Sequence, residues 1–239
     1  MTGPQNEHPI AKQAINRRTR RRGLARLWPV WVLPALALAG CSLLGNNPSV
    51  SPSRYTLDVP AASRTHPAAA SHYPLTLDLR SIRAPGWLDS KRMLYRLEYD
   101  QGQRLAAYTR SAWADTPADL VGDHLEGALS ARHLFAAVLG QGSGRADLVL
   151  QLALQDFSQY FTARDASHGR IAAQATLLSA DSGAVIAQKH FDISAPAPSA
   201  DAEGGVQALS RADARLDRAI TGWLNTTLAA CGGACQPGA

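Results

Sequence analysis

Alternating apolar and polar side chains predict that most of the chain from Tyr73 onward forms β-strands. Leu75, Leu77 and Leu79 are separated by polar residues, which is the period of two that a half-buried strand requires. The same alternation is longest over residues 147–161. Further strands are predicted at residues 93–99, 104–108, 135–139, 171–178 and 185–193.

Turn residues join several of these strands. Gly102 lies in the turn at residues 100–103, where a glycine can supply the positive φ that a tight hairpin needs. Asp181-Ser182-Gly183 joins the last two strands in the same way. Strands joined by such short turns are antiparallel, so the last three strands are predicted to form a meander.

The strand at residues 147–161 also carries a candidate contact surface. Its leucines are predicted on one face, which leaves Phe157 and Phe161 on the other face beside three glutamines. Aromatic side chains often anchor protein interfaces. We therefore predict that Phe157, Tyr160 and Phe161 contact a partner or a second subunit; the alternative is that these rings fill the core.

Two segments have the helical period instead. Thr116 is a candidate N-cap, Pro117 suits the first turn, and Asp119 completes an arrangement like a capping box. Apolar residues then recur on one face of this helix and of a second helix after Pro198. These stripes are Val121, Leu125, Ala128 and Leu129 in the first helix, and Leu209, Ala212, Leu216, Ile220, Trp223 and Leu224 in the second.

Runs of strands interrupted by only two helices predict an α+β fold. We expect a single domain over residues 73–230, with a mainly antiparallel sheet and both helices packed on one face. Residues 41–72 are rich in Ser, Pro and Ala and are predicted to be a linker of about 30 residues, with a short strand at residues 54–59. Residues 231–239 are predicted to be a flexible tail.

The first forty residues have the pattern of a secretory signal peptide. A run rich in arginine precedes an apolar stretch from Leu27 to Ala39, and small residues follow. This stretch of 13 residues would span about 20 Å as a helix, less than the roughly 30 Å hydrocarbon core of a membrane. We therefore predict that residues 1–40 are removed after export.

The sequence Leu38-Ala39-Gly40-Cys41 resembles a bacterial lipobox. In a lipobox the cysteine thiol is alkylated by a diacylglycerol, and the cysteine becomes an acylated N-terminus. Cys41 is therefore predicted to carry a diacylglycerol and an acyl chain such as palmitate, which together anchor the protein firmly to a membrane. A buried core cysteine is the alternative, but it leaves the upstream arginines unexplained. Ser42, in place of aspartate, favours the periplasmic face of the outer membrane.

The basic net charge comes from the predicted signal peptide. Residues 1–40 contain seven of the 24 Lys and Arg residues and one of the 19 Asp and Glu residues. Removing them changes the formal net charge from +5 to −1. The mature chain therefore lacks the dense positive charge that nucleic-acid binding requires.

Two cysteines remain near the end of the chain. Cys231 and Cys235 flank a Gly-Gly-Ala segment that is flexible enough to close a disulfide loop in an oxidising periplasm. Free thiols and a metal site are the alternatives. The metal site has the weakest support, because no other cysteine or nearby histidine completes a zinc ligand set.

The sequence contains no recognisable catalytic motif. Residues 140–144 are rich in glycine but lack the dinucleotide-binding fingerprint, and Ser143 is not in a G-x-S-x-G sequence. The histidines are dispersed. We therefore predict no catalytic residues, no metal and no cofactor other than the covalent lipid on Cys41.

The order of these features resembles the ABC-type transport auxiliary lipoprotein family, including the lipoproteins of paraquat-inducible (Pqi) systems. The similarity extends over about residues 35–228. It is carried by the lipobox cysteine, by residues 108–114 before the first helix, by the strand at residues 150–161, by residues 184–186, and by residues 206–209 and 223–224 of the last helix.

The resemblance implies a non-catalytic component of a lipid transport system. In such systems an inner-membrane ABC permease and ATPase act with proteins that carry MCE (mammalian cell entry) domains and bridge the periplasm. The lipoprotein serves the outer-membrane end. The expected partners are therefore the membrane, an MCE-domain protein and the ABC complex, and homo-oligomerisation stays open. The alternatives are a periplasmic lipid-binding carrier and, third, a lipoprotein hydrolase.

Overall fold

The computed structural model describes residues 51–58, 73–100, 102–140 and 144–231. These residues fall within one compact unit, Val50–Ala239. Cys41, Cys235 and the predicted signal peptide lie outside the described residues. The elements in chain order are β1 (Ser53–Tyr55), β2 (Tyr73–Leu79), β3 (Arg92–Leu97), β4 (Leu105–Trp113), α1 (Pro117–Ala131), β5 (Phe135–Gly140), β6 (Leu148–Phe161), β7 (Ser167–Ser179), β8 (Val185–Pro196) and α2 (Ala202–Cys231).

The eight strands form one curled sheet with mixed strand directions. Its order is β1-β4-β3-β6-β2-β5, with β7 on the other edge of β6 and β8 beside β7. Four of the seven pairings between the described strands are parallel, namely β1–β4, β2–β5, β2–β6 and β3–β6. The prediction of a mainly antiparallel sheet is therefore wrong.

The error has a physical reason. The β3–β4 hairpin and the β6–β7–β8 meander are antiparallel, as their short turns require. However, β6 is 14 residues long, and the edge that β7 leaves free pairs with β2 at Leu148–Leu150 and with β3 at Gln159–Phe161. Alternation in a sequence fixes which face of a strand is buried, but not its distant neighbours or their direction.

A β-bulge changes the face assignment within β6. Leu154 pairs with Ala173 and Asp156 pairs with Ala172, so Gln155 is an additional residue without a partner in β7. After this bulge the alternation shifts by one residue. Phe157 therefore lies on the same face as the leucines, and the prediction that Phe157 and Phe161 lie on the opposite face is wrong.

Both helices contribute to one hydrophobic core. Thr116 caps α1, its side chain accepts a hydrogen bond from the backbone N–H of Asp119, and Pro117 begins the helix, as predicted. The predicted stripe of α2 is buried apart from Trp223, which is partly exposed and packs against the core. These helical side chains join the buried leucines of β2 and β6 in one continuous cluster.

Helix α2 approaches β7 closely at Gly169. A Cβ atom at this position would lie 2.7 Å from the backbone nitrogen of Leu209 and 2.9 Å from the carbonyl carbon of Ala208. Contacts this short are not tolerated between a Cβ atom and backbone, so only glycine fits without displacing the helix. Further along α2, Arg211 and Arg215 donate hydrogen bonds to the backbone carbonyls of Pro196 and Ser194 in β8.

Strand β1 lies inside the predicted linker, where a short strand was expected. It pairs with β4 from Ser53 to Tyr55, Leu57 is buried in the core, and the backbone N–H of Asp58 donates to Oγ of Ser210 at 3.0 Å. The chain is thus fixed to the sheet well before Tyr73. Among the described residues, no helix is long and apolar enough to span a membrane.

Candidate functional site

An aromatic and basic cluster lies on the sheet face opposite the helices. Residues paired between neighbouring strands share a face, and Arg96, Tyr160 and His168 are paired across β3, β6 and β7. The bulge at Gln155 directs this row away from the core that contains Phe157. We call these side chains, together with their neighbours, the Tyr160 cluster; its members are Trp87, Arg96, Tyr160, His168 and Arg170.

The Tyr160 ring is the centre of this cluster. The guanidinium carbons of Arg96 and Arg170 lie 5.9 and 5.5 Å from its centroid. His168 stacks on the same ring, with 5.5 Å between centroids and an interplanar angle of 16°. The Arg96 guanidinium also lies 5.8 Å from the centroid of Trp87. These distances are in the range of cation–π attraction, which orients the two arginines.

Carboxylates neutralise Arg170. Its guanidinium donates to both oxygens of Asp192 at 2.6 and 2.8 Å and lies 3.4 Å from Oδ2 of Asp156. This pairing raises the pKa of Arg170 and lowers that of Asp192. The Tyr160 hydroxyl donates to Asp156, and burial raises the pKa of this hydroxyl. Arg170 and Tyr160 are thus held in place by a polar network of the sheet itself.

Arg96 has no comparable acidic partner. It donates to the backbone carbonyl of Gln103 at 3.1 Å, and no carboxylate of the described residues lies within 4.0 Å of its guanidinium. Beside it, Trp87 is 39 % exposed. An exposed tryptophan next to an unneutralised arginine is typical of a surface that contacts another molecule.

The structure places only one of the three predicted contact residues, Tyr160, in this cluster, and all three side chains are buried. Phe157 is buried and packs edge-on against Trp113, with 5.3 Å between centroids. Phe161 is buried beside Tyr95 on the core face. Tyr160 lies on the opposite face, within the cluster. Contact of these rings with a partner stays a prediction.

Sequence reasoning missed Trp87 and Arg96. Trp87 lies in the connection between β2 and β3, where no periodic pattern draws attention to it. Its one signal in the sequence is a large aromatic residue inside a segment with the composition of a loop, Ala84-Pro85-Gly86-Trp87. Single exposed apolar side chains are common, so this signal alone would not have identified the site.

A second polar site is buried between the two helices. Nδ1 of His124 in α1 lies 2.8 Å from Oδ2 of Asp213 in α2, and Asp217 follows one turn later. Asp213 and Asp217 are only 1 % and 7 % exposed, and one oxygen of each has no hydrogen-bond partner within the described structure. Arg132, at the end of α1, donates to Oγ1 of Thr221 at 3.3 Å beside them.

Burial determines the protonation of this site. It raises the pKa of Asp213 and of Asp217, and the nearby charge of Asp213 raises that of Asp217 further. The hydrogen bond that the His124 ring N–H donates to Asp213 raises the pKa of His124. The three groups therefore hold protons more tightly than they would in water. Because both carboxyl groups are enclosed by the helices, they connect α1 to α2 and do not form a surface at which a substrate could react.

Two polar cavities border the described part of the sheet. One has a volume of about 220 Å³ and is lined by charged residues that include Asp78, Arg80, Arg145 and Asp181. The other has a volume of about 30 Å³ and lies beside α1, with Asp119, Asp123 and Glu126 in its wall. Neither cavity has the apolar lining that lipid acyl chains require.

The described residues contain no group of His, Cys, Asp and Glu side chains that could bind a metal ion. Cys231, the last residue of α2, is disulfide-bonded. Its predicted partner Cys235 lies outside the described residues, so this pairing stays a prediction. Cys41, the predicted lipidation site, also lies outside them.

Comparisons with known proteins identify relatives. The family model of the ABC-type transport auxiliary lipoprotein component matches residues 55–221. A Xanthomonas campestris protein of the family DUF330 has a similar fold, with a TM-score of 0.65 and 22 % identity over 73 % of this chain and 96 % of the other. A second, uncharacterised protein has a TM-score of 0.56 and 15 % identity over 73 % of this chain and 99 % of the other. No curated protein matches the chain.

Proposed function

This chain belongs to the ABC-type transport auxiliary lipoprotein family, and we propose that it is a non-catalytic adaptor of an ABC/MCE-type lipid transport system. In this proposal acyl chains on Cys41 anchor it to the periplasmic face of the outer membrane. The observation that carries the proposal is the family match over residues 55–221, which includes β4, α1, the long strand β6 and α2 as far as Thr221.

The interior of the described domain supports an adaptor over a carrier. The leucines of β6 and the apolar stripe of α2 fill the space between sheet and helix, since Leu150, Leu216 and Ile220 are fully buried. The described cavities of about 30 and 220 Å³ are lined by charged groups. A carrier would need an apolar chamber in the upper part of the range of about 300–1,000 Å³ that is usual for small-molecule sites.

The placement of the polar groups supports a non-catalytic role. His124, Asp213 and Asp217 are packed between the helices, and both carboxyl groups are buried. Beside the Tyr160 cluster, Asp156 accepts hydrogen bonds from the hydroxyl groups of Ser158 and Tyr160, and Asp192 accepts them from Arg170. Neither group presents a nucleophile beside a free base, which acyl or phosphoryl transfer requires.

Affinity purification from native membranes tests the adaptor role. The wild-type protein should co-purify with an MCE-domain protein and with the ABC permease and ATPase. Cys41→Ala should abolish acylation, as measured by mass spectrometry, and should release the protein into the periplasm. Ser49→Ala, in the same linker, is the matched control and should behave like the wild type. Recovery of none of these components with either form would contradict the adaptor role.

Ser42→Asp tests the membrane assignment separately. An aspartate after the lipidated cysteine should retain the acylated protein in the inner membrane, whereas the wild type should fractionate with the outer membrane. Membrane fractionation with mass spectrometry of the N-terminus distinguishes the two locations. An acylated wild-type protein found in the inner membrane would overturn the outer-membrane assignment and leave the family assignment intact.

A further inference from the structure

We propose that the outer face of β1, β4 and β3 lies against the anionic headgroups of the membrane that holds the lipid anchor. This surface, the basic patch, consists of Arg54, Arg92, Arg96, Arg110 and Trp87. The proposal rests on the acylation of Cys41 that the proposed function includes. It adds an orientation of the domain and a lipid-binding surface.

The length of chain between the anchor and the sheet limits the distance of the domain from the membrane. Ser53, the first residue of β1, follows Cys41 by twelve positions. Twelve residues reach at most about 40 Å when fully extended and about 20 Å on average as a flexible chain. A domain of this size has a radius of gyration of about 16 Å. The start of β1 therefore stays within about 40 Å of the bilayer, and within about 20 Å on average, which favours orientations with β1 towards the membrane.

Two arginines form a row at this point of the sheet. Arg54 of β1 and Arg92 of β3 both pair with Ala112 of β4, so the three residues lie side by side on one face. Trp113, the next residue, is buried in the core, so this row is on the outer face. Arg110 is exposed and precedes Ser111, the residue that pairs with Ser53.

These arginines are free to meet an anionic surface. Within the described part of the chain, no carboxylate lies within 4.0 Å of Arg54, Arg92 or Arg110. The local charge is also positive, since residues 81–110 contain six basic and three acidic residues. The predicted mature chain as a whole has a formal charge of −1, so the positive charge is concentrated beside the attachment point of the linker.

Two exposed aromatic residues lie in the same part of the molecule. Trp87 is 39 % exposed beside Arg96, and Tyr99 is 45 % exposed in the β3–β4 hairpin. Tryptophan and tyrosine are enriched where proteins meet the headgroup region of a membrane, because their rings are both apolar and polar. Basic and aromatic side chains beside a short linker together fit a headgroup layer containing anionic lipid. Glu98 and Asp100 lie in the same hairpin and limit how deeply it could enter.

Trp87 fluorescence provides the test. The full acylated protein is reconstituted into phosphatidylcholine vesicles with and without about a third of anionic phosphatidylglycerol, each containing a headgroup nitroxide quencher. Subtracting the signal of Trp87→Phe isolates Trp87 from the other tryptophans. Quenching of Trp87 should be strong on anionic vesicles and weak on neutral ones. It should fall in about 1 M salt, where the Debye length is about 3 Å.

Charge variants identify the surface. A variant that combines Arg54→Gln, Arg92→Gln and Arg110→Gln should reduce quenching to the level seen on neutral vesicles. Each arginine near an anionic surface strengthens binding to it about fivefold. The control changes Arg145, Arg164 and Arg218 to glutamine, an equal change of charge at exposed positions elsewhere, and should leave quenching unchanged. The salt dependence of the unaltered protein tests the proposal even if a variant folds poorly.

Three results would overturn the proposal. Equal loss of quenching in both triple variants would mean that net charge, not this patch, is responsible. Trp87 that stays unquenched on anionic vesicles would show that the patch faces water. Mass spectrometry showing an unmodified Cys41 would overturn the lipoprotein anchor first and this orientation with it, so the two failures are distinguishable.

Discussion

The buried pair Asp213 and Asp217 makes the stability of the domain depend on pH. Burial raises the pKa of Asp217 to about 8, and the hydrogen bond with Asp213 raises that of His124. Both groups bind a proton more tightly in the folded state than in the unfolded chain. This stabilisation is complete below the unfolded pKa values, about 4 for aspartate and 6.5 for histidine, and it is lost as the pH rises through the folded values.

We therefore expect the free energy of unfolding to decrease between about pH 4 and pH 8. Asp217→Asn removes one titrating group, so it should flatten this decrease by up to about 1.4 kcal/mol per pH unit. Urea unfolding followed by circular dichroism at several pH values measures the effect. Asp165→Asn, at an exposed turn position, is the control and should leave the slope unchanged. If the free energy of unfolding depended equally on pH in the wild type and in Asp217→Asn, the raised pKa of Asp217 would be refuted.

Gly169 is a second position at which a single residue determines packing, because there is no room for a Cβ atom. Gly169→Ala should lower the free energy of unfolding by about 1–3 kcal/mol, because the added Cβ pushes α2 away from β7. Gly127→Ala in α1 is the control, since nothing lies within 4 Å of its Cβ position. There the alanine should stabilise the helix by about 0.5–1 kcal/mol. Chemical denaturation measures both changes in the free energy of unfolding. A decrease for Gly169→Ala with an increase for Gly127→Ala would support the close approach of α2, whereas no change for Gly169→Ala would contradict it.

At the scale of the elements, local sequence signals were sufficient where the interaction is local. The Thr116 cap, the stripe of α2 and the Gly183 turn, with a φ of 69°, all depend on residues a few positions apart. The bulge at Gln155 left only an ambiguous signal. The apolar positions change from even numbers up to Leu154 to odd numbers at Phe157 and Phe161, and a regular strand covered on both faces would produce the same pattern. The bulge is determined by the pairing of β6 with β7, which the sequence does not display.

The same reasoning explains what could be predicted of the candidate site. The aromatic enrichment in β6 drew attention to residues 157–161, but their assignment to faces depended on the bulge. Arg96, which also lies over Trp87, reaches Tyr160 only because β3 pairs in parallel with the end of β6. A contact between strands more than 60 positions apart leaves no periodic signal in either strand.

Deleting Gln155 should preserve the native fold. Without this additional residue, Leu154 still pairs with Ala173 and Asp156 with Ala172, so Asp156 stays on the outer face and Phe157 stays on the core face. The deletion variant should therefore keep a cooperative unfolding transition in circular dichroism. Gln155→Asn keeps the additional residue at an exposed position and should change stability by less than about 1 kcal/mol. Loss of the cooperative transition in the deletion variant alone would show that the local bend made by the bulge is itself required.

At the scale of the whole molecule, the short linker should control how the domain is oriented. Inserting about 24 Gly and Ser residues between Asn46 and Asn47 triples the distance along the chain from Cys41 to Ser53. The effective concentration of the domain at its own membrane should then fall about fivefold, since it scales with roughly the −3/2 power of length. Trp87 quenching on anionic vesicles should decrease accordingly.

The same insertion between Ala61 and Ala62 is the control for this experiment. That position follows β1, so the distance from the anchor to the sheet does not change, and quenching should stay at the wild-type level. Equal quenching for both insertions and the wild type would mean that lipid binding by the patch does not depend on the linker.

Strand β8 is an edge strand, and its two hydrogen bonds from α2 bear on how copies of this protein behave when crowded at a surface. Anchored molecules are concentrated in two dimensions, where an exposed strand edge invites pairing between neighbours. Arg211 and Arg215 already occupy the carbonyls of Pro196 and Ser194 at the end of that strand. Each copy thereby withholds acceptors that an intermolecular ladder, the first step towards fibrils, would need.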